Sequence, residues 1–195
     1  MMFGKATDER LIQKALDGSE RAWFALVKRY EKRLYNYALR MTSSPDDAMD
    51  ILQDILLSVY RNLSSYRGDG VFAAWLFRIA SFRCTDFYRK KGRQFGTTDD
   101  VDVIDDSGST FNDDIDSSFF HGNFFHGNKR ITQLMNQLSN DQRHVVELKF
   151  FQHFTFDEIS GQLGISANTA KSRLYAALKK MREQKTDLMM IKEGA

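Results

Sequence analysis

Near the carboxyl end of the chain, hydrogen-bonding side chains recur at helical spacing along a basic segment. This polar stripe consists of Asn168, Ser172, Tyr175 and Lys179, with Lys171 at its margin and Arg173 and Lys180 on the other flank. A helix with such a face can read base edges in a DNA major groove while its cations hold the flanking phosphates. The alternative is a two-helix hairpin whose polar face is only solvated.

The residues before the stripe predict how its helix is positioned. Thr155 and Glu158 have the spacing of a capping box, so a first helix should begin near residue 156. Gly164 can end that helix in the left-handed conformation, and Ser166 can cap the next one. Apolar residues of the second helix should then pack on the first: Ala170, Leu174, Leu178 and Met181 on Phe156, Ile159, Leu163 and Ile165. A short helix, a tight turn and a longer basic helix are typical of a helix-turn-helix.

A second candidate site follows the turn-rich segment SSYRGDG at residues 64–70. A helix is predicted over residues 71–91, and its outer side carries Val71, Trp75, Arg78, Phe82 and Arg89. Aromatic rings interleaved with arginines suit single-stranded nucleic acid, because bases stack on the rings while the cations follow the backbone. Aromatic residues on a helix are also common core residues, and that interpretation stays open.

A third candidate is the acidic face of the helix predicted over residues 45–63, which Ser44 and Pro45 should begin. Asp47, Asp50 and Asp54 share this face, with Gln53 beside them. Like charges at such spacings oppose one another slightly, so a basic partner would favour the arrangement. A solvated acidic face explains the pattern equally well.

The remaining periodic segments predict the helices that hold these faces. Residues 7–16 should place Leu11, Ile12, Ala15 and Leu16 inward. The core positions of residues 20–41 should be Trp23, Phe24, Leu26, Val27, Tyr30, Leu34, Tyr37 and Ala38. Those of residues 45–63 should be Ile51, Leu52, Ile55, Leu56, Val59 and Leu63, and those of residues 71–91 should be Phe72, Leu76, Ile79, Ala80, Cys84 and Phe87. Two further helices are predicted over residues 129–137, with Ile131, Leu134 and Leu138 inward, and 140–151, with Val145, Val146, Leu148 and Phe151 inward.

Between these halves the helical period disappears. Residues 96–118 hold eight aspartates and no Lys or Arg, which is typical of a flexible acidic linker. The tandem repeat FFHGN at residues 119–128 contains two histidines, but no further close ligand completes a metal site; the repeat could instead anchor the linker or have no consequence. His144 with Glu147, and His153 with Asp157, are interpreted as surface pairs rather than metal ligands.

The chain is thus predicted to be all-α, with two small helical domains. The predicted boundaries are residues 1–94, a linker over 95–128, a second domain over 129–186 and a tail over 187–195. A single cysteine fits a reducing compartment. No apolar run approaches the roughly 18 residues of a membrane span, and no signal peptide begins the chain, so a cytoplasmic location is expected. Nucleotide-binding glycine loops and nucleophile–base pairs are lacking, so neither catalysis nor a cofactor or metal is expected.

Three strings, in order, resemble the extracytoplasmic-function (ECF) subfamily of bacterial sigma-70 factors. They are DDAMDILQDILLSVYRNL, YRGDGVFAAWLFRIASFRCTDFYRKK and LSNDQRHVVELKFFQHFTFDEISGQLGISANTAKSRLYAALKKMRE. The resemblance implies an initiation factor that binds core RNA polymerase, with region 2 in the first domain and region 4 in the second. Its partners would be core polymerase, promoter DNA, both duplex and single-stranded, and an anti-sigma factor.

The resemblance also assigns roles to the three candidate sites. The face formed by Asp47, Asp50, Gln53 and Asp54 would dock on the coiled coil of the largest polymerase subunit. Opening of the minus-10 element would fall to Tyr66, Arg67, Trp75, Arg78, Phe82 and Arg89; Phe82 replaces an Asn that is frequent in the family, so stacking is expected there. The minus-35 element would be read by Asn168, Lys171, Ser172, Arg173, Tyr175 and Lys179, and the linker would thread polymerase channels.

Two other classes of protein remain open. One is a stand-alone helix-turn-helix regulator, which would bind duplex DNA specifically without polymerase. The other is an interaction protein that occupies polymerase without starting transcription. In the regulator, the first helical domain would sense a ligand or dimerise.

Overall fold

The structure, a computed structural model, describes the backbone of residues 6–95 and 128–193 and the side chains of residues 6–91 and 131–183. All regular structure in these ranges is helical, which confirms the all-α prediction. The chain divides into two compact units, Met1–Lys91 and Gly92–Ala195. The acidic linker and the histidines of the FFHGN repeat lie outside the described residues, and the predicted domain boundaries stay predictions.

Helices and a short 3-10 turn make up the described part of unit 1, and two of these helices start at predicted caps. The elements are α1 (Asp8–Leu16), α2 (Glu20–Thr42), α3 (Pro45–Asn62), a short 3-10 turn (Leu63–Ser65) and α4 (Phe72–Phe95). Thr7 caps α1 and Ser44 caps α3, where Pro45 takes the first helical position at which its missing N–H costs nothing. α2 packs on both α1 and α3. The long face of α2 is therefore the centre of this unit.

The core of unit 1 departs from the prediction in two places. The fully buried side chains include Leu34, Tyr37, Ile51, Ile55, Phe72 and Phe77, and Cys84 is buried as expected. Phe24 is 66% exposed, because the buried positions of α2 recur at Ala22 and Leu26 and a residue midway between them faces the other side. Leu16 is 44% exposed at the end of α1, so both inward predictions were wrong. Six other predicted core residues are only half-buried: Ala15, Trp23, Val27, Leu56, Ile79 and Phe87.

The described residues 128–193 of unit 2 begin with a helix that is shorter than predicted. Its elements are α5 (Asn128–Met135), α6 (Asn140–Val146), a π-helical turn (Glu147–Phe151), α7 (Phe156–Leu163) and α8 (Ala167–Glu193). The single helix expected over residues 140–151 is divided, since its hydrogen bonding changes from α to π at Glu147. The wider turn adds a residue to the local repeat and rotates the side chains that follow it.

The helix-turn-helix of α7 and α8 is confirmed with its caps. The amide of Glu158 donates to Thr155 Oγ1 at 3.3 Å, and the amide of Thr155 donates to Glu158 Oε2 at 2.7 Å. Ser166 Oγ accepts from the amide of Thr169 at 2.9 Å. The side chains that join the two helices are buried at Ile159, Ala170, Leu174, Leu178 and Met181, whereas Phe156, Leu163 and Ile165 are half-buried.

Two helices end in left-handed residues, one in each unit. Gly164 has φ 68° at the end of α7, and Ser43 has φ 61° at the end of α2. A Cβ on Gly164 would meet no atom within 4 Å, so only the backbone conformation disfavours a side chain there. L-residues pay roughly 1 kcal/mol in this region, whereas glycine does not.

We therefore expect Gly164→Ala to lower the unfolding free energy of unit 2 by about 1 kcal/mol. Ser43→Gly should relieve the same strain and leave unit 1 equally or more stable. Amide hydrogen exchange in α7 and in α2 measures each unit separately. An unchanged exchange rate in α7 of Gly164→Ala would show that the left-handed turn carries no such cost.

Candidate functional site

The predicted single-strand site of unit 1 is built around the ring of Phe72. This ring is 2% exposed and its centroid lies 5.3 Å from Tyr66, 5.5 Å from Trp75 and 5.5 Å from Tyr30. Tyr66 and Trp75 also contact each other at 5.6 Å. Trp75 is consequently half-buried, with one part fixed in the cluster and another part accessible. We call these four rings the Phe72 cluster.

The outer side of α4 next to this cluster is open, as predicted. Phe82 is 68% exposed, and Arg67, Arg78 and Arg89 are exposed. Arg89 forms a salt bridge with Asp86, one turn away. The hydroxyl of Tyr66 donates to the carbonyl of Gly70 at 2.6 Å and closes the loop that leads into α4. The predicted minus-10 residues thus combine fixed rings, one free ring and cations, as stacking on bases requires.

The acidic face of α3 is accessible but not entirely unpaired. Asp50, Gln53 and Asp54 are exposed, whereas Asp47 is half-buried and its carboxylate lies 3.0 Å from the ammonium of Lys91. The same helix also exposes the apolar side chains of Met49, Leu57 and Tyr60. A partner at this surface would therefore meet both negative charge and apolar area.

The polar stripe of α8 is mixed in exposure. Asn168 and Lys179 are exposed, and Ser172 and Tyr175 are half-buried. The Ser172 hydroxyl donates to the carbonyl of Asn168 at 3.0 Å, within the helix. Lys171 Nζ lies 5.6 Å from the ring centroid of Phe156, so its ammonium is held near the start of α7. Four of the six predicted minus-35 residues, Asn168, Ser172, Tyr175 and Lys179, share this one face.

Arg173 lies apart from the open stripe. Its side chain is 19% exposed, and a guanidinium nitrogen lies 2.5 Å from Asp141 Oδ2 on α6. An ion pair with such an exposed carboxylate is worth about 0–1 kcal/mol, so Arg173 can exchange it for another anion at small cost.

A buried polar cluster in unit 2 was not predicted. Arg143, His144, Glu147 and Gln152 are all nearly inaccessible, and Gln152 Nε2 donates to Glu147 Oε1 at 2.9 Å. The interpretation of His144 and Glu147 as a surface pair was wrong. All six residues from Arg143 to Leu148 are buried, so this segment is covered on every side and helical periodicity could not distinguish the pair from its apolar neighbours. His153, in contrast, is exposed, and so is Asp157.

The buried cluster changes the acid–base behaviour of His144. Burial of the imidazole, followed by the charges of Arg143 and Arg173, lowers the pKa of His144 to about 3. The ring is therefore neutral at physiological pH. None of the residues of this cluster is among those predicted to bind DNA.

Within residues 6–95 and 128–193, no group of His, Cys, Asp and Glu side chains could hold a metal ion. None of the helices in these ranges is long and apolar enough to cross a membrane.

Two protein-family models match the chain in sequence order. The model described as Sigma-70 region 2 matches residues 26–94, and the model described as Sigma-70, region 4 matches residues 128–181. These ranges together cover more than half of the chain. They contain every residue of the three candidate surfaces.

Curated relatives match over most of their length. The RNA polymerase sigma-H factor of Pseudomonas aeruginosa is 26% identical over 192 residues, which covers 90% of this chain and 92% of that protein. The ECF RNA polymerase sigma-E factor of Escherichia coli K12 is 25% identical over 179 residues, which covers 90% and 93%.

Solved structures show the same fold. One is CnrH in complex with the cytosolic domain of CnrY, with a TM-score of 0.65, 22% identity and coverage of 92% of this chain and 97% of the matched chain. Another is RpoE with the anti-sigma factor NepR from Bartonella quintana, with a TM-score of 0.59, 24% identity and coverage of 80% and 92%.

Because His144 is buried in its neutral form, acid should lower the stability of unit 2. Its folded pKa of about 3 lies below the ordinary 6.5, so the unfolded chain binds the proton more readily. This contribution to stability is complete above pH 6.5 and is lost as the pH falls towards 3, by up to about 1.4 kcal/mol per pH unit. We expect His144→Gln to flatten the pH dependence of unit 2 unfolding between pH 6.5 and 5, measured by denaturant titration at each pH.

The control for this experiment is His153→Asn. It removes an exposed histidine from the same unit and should leave the pH slope unchanged. An identical slope in wild type and His144→Gln would contradict the buried neutral state.

Proposed function

Since the chain belongs to the sigma-70 family of RNA polymerase sigma factors, in its ECF branch, we propose that its three surfaces divide the work of promoter-directed initiation. The chain directs core RNA polymerase to promoters and starts transcription there. The observation that carries this function is the order of the two family regions, each with a surface suited to its task.

The acidic face of α3 binds core polymerase. Asp50, Gln53 and Asp54 are available to a basic partner, and exposed apolar side chains on the same helix add contact area. Asp47 joins them by exchanging Lys91 for a polymerase cation. A helical coiled coil with basic side chains fits this face, because charge complementarity steers the encounter and fixes its register.

The Phe72 cluster and the outer side of α4 open the minus-10 element. Unstacking a base costs a few kcal/mol, and stacking on a side chain returns roughly 1 to 3 kcal/mol. Trp75 and Tyr66 supply held rings at the edge of the duplex, and Phe82 supplies a free one. Arg67, Arg78 and Arg89 follow the phosphates of the separated strand.

The polar stripe of α8 reads the minus-35 element in the major groove. Asn168, Ser172 and Tyr175 offer hydrogen-bonding groups, while Lys171 and Lys179 contact phosphates at the sides. Arg173 leaves Asp141 to reach a base. The helix-turn-helix places the start of α8 towards the bases, as in other proteins with this motif.

Three further properties complete the proposal. The chain catalyses no reaction itself, since sigma factors are non-enzymatic regulators and neither family region is catalytic. It works in the cytoplasm, where its promoters are. An anti-sigma factor restrains it, which is suggested by a structural neighbour that is itself bound to an anti-sigma factor.

Run-off transcription with purified core polymerase tests the function. Promoter-specific transcripts that depend on this chain are expected. A stand-alone regulator would instead bind duplex DNA specifically without polymerase, and an interaction protein would bind polymerase without yielding transcripts. Failure at every promoter found by mapping transcript starts after overproduction would refute the proposal.

Reversing the charge of the acidic face of α3 should weaken its binding to polymerase. Replacing Asp50 and Asp54 by Lys should weaken polymerase binding about tenfold or more, because both carboxylates would otherwise meet basic side chains. Fluorescence titration of the labelled chain with core polymerase measures this affinity. The double variant Asp17→Lys and Glu20→Lys makes the same charge change elsewhere in unit 1 and should bind nearly as well as wild type.

If the Asp50 and Asp54 double variant retains wild-type affinity, the acidic face of α3 is only solvated. The substitutions of Asp50 and Asp54 do not change unit 2. The holoenzyme that this variant still forms should therefore recognise the minus-35 element as the wild type does.

Because Arg173 is paired with Asp141, substitutions of these two residues should affect promoter binding differently. Arg173→Ala should lower promoter binding by the holoenzyme by about 1–3 kcal/mol and relax discrimination at one minus-35 position. Asp141→Asn should leave binding unchanged or improve it, because it removes the carboxylate that competes for Arg173. Equilibrium binding to promoters with single base changes gives both quantities. A uniform loss across sequences would instead make Arg173 a phosphate contact.

A further inference from the structure

Helix α1 lies outside both family matches, which begin at residues 26 and 128. It nevertheless contacts α2 and the 3-10 turn that leads into the predicted minus-10 loop. Its first turn contains Asp8, whose side chain is 19% exposed. A carboxylate with so little access to water needs strong partners.

Asp8 has two such partners on α2. One carboxylate oxygen accepts a hydrogen bond from the guanidinium of Arg29, and the other accepts one from the hydroxyl of Tyr30. Arg29 also donates to the carbonyl of Ala6 at 2.5 Å, which ties the start of α1 to the same place. The charge of Asp8 is thus neutralised locally, and its second oxygen is used to orient a ring.

Tyr30 transmits this restraint to the Phe72 cluster. Its side chain is buried, and its ring meets Phe72 edge to face at 5.5 Å. Burial, followed by the hydrogen bond to Asp8, raises the pKa of the Tyr30 hydroxyl, so the group remains a donor at any physiological pH. Edge-to-face pairs depend on ring orientation, and a turned Tyr30 would change the surface on which Phe72 rests.

The contacts then continue to the proposed site of strand opening. Phe72 contacts Tyr66 and Trp75, which also touch each other. A ring that is already fixed loses less conformational entropy when a base stacks on it. The sequence of contacts from Asp8 through Tyr30 and Phe72 therefore favours base capture without any contact between α1 and DNA.

We propose that Asp8 is a positioning residue for promoter opening, which acts by holding Tyr30 and Phe72 so that Tyr66 and Trp75 keep their stacking orientation. This inference rests on the proposed function of Tyr66 and Trp75. It assigns a role to α1 that neither family region contains.

If Asp8 acted only through its negative charge, its removal would favour promoter opening instead of weakening it. Burial first, and then the charges of Glu9, Asp8 and Asp69, raise the pKa of the Tyr66 hydroxyl, so α1 adds negative potential beside this loop. Removing a negative charge there should favour DNA by reducing repulsion of its phosphates. Loss of opening in an Asp8 variant would therefore oppose the electrostatic trend and identify positioning.

The experiment measures permanganate reactivity of unpaired thymines in complexes of promoter, core polymerase and full-length chain. Asp8→Ala and Tyr30→Phe should each lower opening about fivefold, because each removes a hydrogen bond to a charged group. Asp8→Asn keeps an acceptor oxygen for Tyr30 and should recover most of the activity. Glu9→Gln removes an equal charge from the neighbouring exposed residue and should not lower opening.

Two measurements separate positioning from general loss of structure. All variants are compared at a temperature at which circular dichroism shows them folded, and closed-complex affinity is measured in parallel and should not change. In a double-mutant cycle, Asp8→Ala should add little to the defect of Trp75→Ala, because both act through the same ring.

Additive defects, an equal loss of closed-complex affinity, or full opening by Asp8→Ala and Tyr30→Phe would each overturn the inference. If Trp75→Ala itself opens promoters normally, the proposed function of the Phe72 cluster fails instead. The two failures are therefore distinguishable within one set of variants.

Discussion

Phe72 imposes the main constraint on unit 1, since one buried ring must support two rings at the surface. Tyr66 and Trp75 are held where water and bases can reach them, and isolated aromatic side chains there would rotate freely. Phe72 prevents this because Tyr30 packs against it from the α2 side, so its own position is fixed by the core. In the proposed function, the helices behind the ring therefore contribute to strand opening through this packing. Stacking on a base returns a few kcal/mol. This gain favours binding most when the rings are already ordered in the folded chain, because no conformational entropy is then lost in fixing them.

The negative charges on the acidic face of α3 are arranged unfavourably for the stability of that helix. Asp50 and Asp54 lie on one face of α3 with no basic residue at the spacing that would relieve them. Where a cation is within reach, as for Asp47 and Lys91 at 3.0 Å, the pair joins α3 to the basic end of α4. The fold keeps these charges because the packing of Ile51 and Ile55 on the opposite face stabilises α3 by much more.

Local patterns in the sequence predicted the parts of the fold that depend on neighbouring residues. The caps at Thr7, Ser44 and Thr155, the left-handed Gly164 and the inward face of α8 are all set within a few positions along the chain. The prediction failed where a helical segment is covered on every side, as at residues 143–148, which include His144 and Glu147. It could not find the ties of Asp8 to Tyr30 and of Asp141 to Arg173, since those pairs are distant in sequence and meet only through packing. The candidate sites were thus predicted by residue type, while the contacts that orient them were not.

Several predicted binding groups already have partners in the free chain, and this affects where specificity arises. In the proposed function, Arg173 exchanges Asp141 for DNA and Asp47 exchanges Lys91 for polymerase, so these two contacts replace existing ion pairs. Each pair has one well-exposed partner, since the Asp141 side chain is 57% exposed and the Lys91 side chain 47%. Water screens such pairs, so their exchange contributes little net affinity. Under the proposed function, discrimination comes from groups that form geometrically demanding contacts, namely the amide and hydroxyl groups of α8 and the oriented rings of the Phe72 cluster.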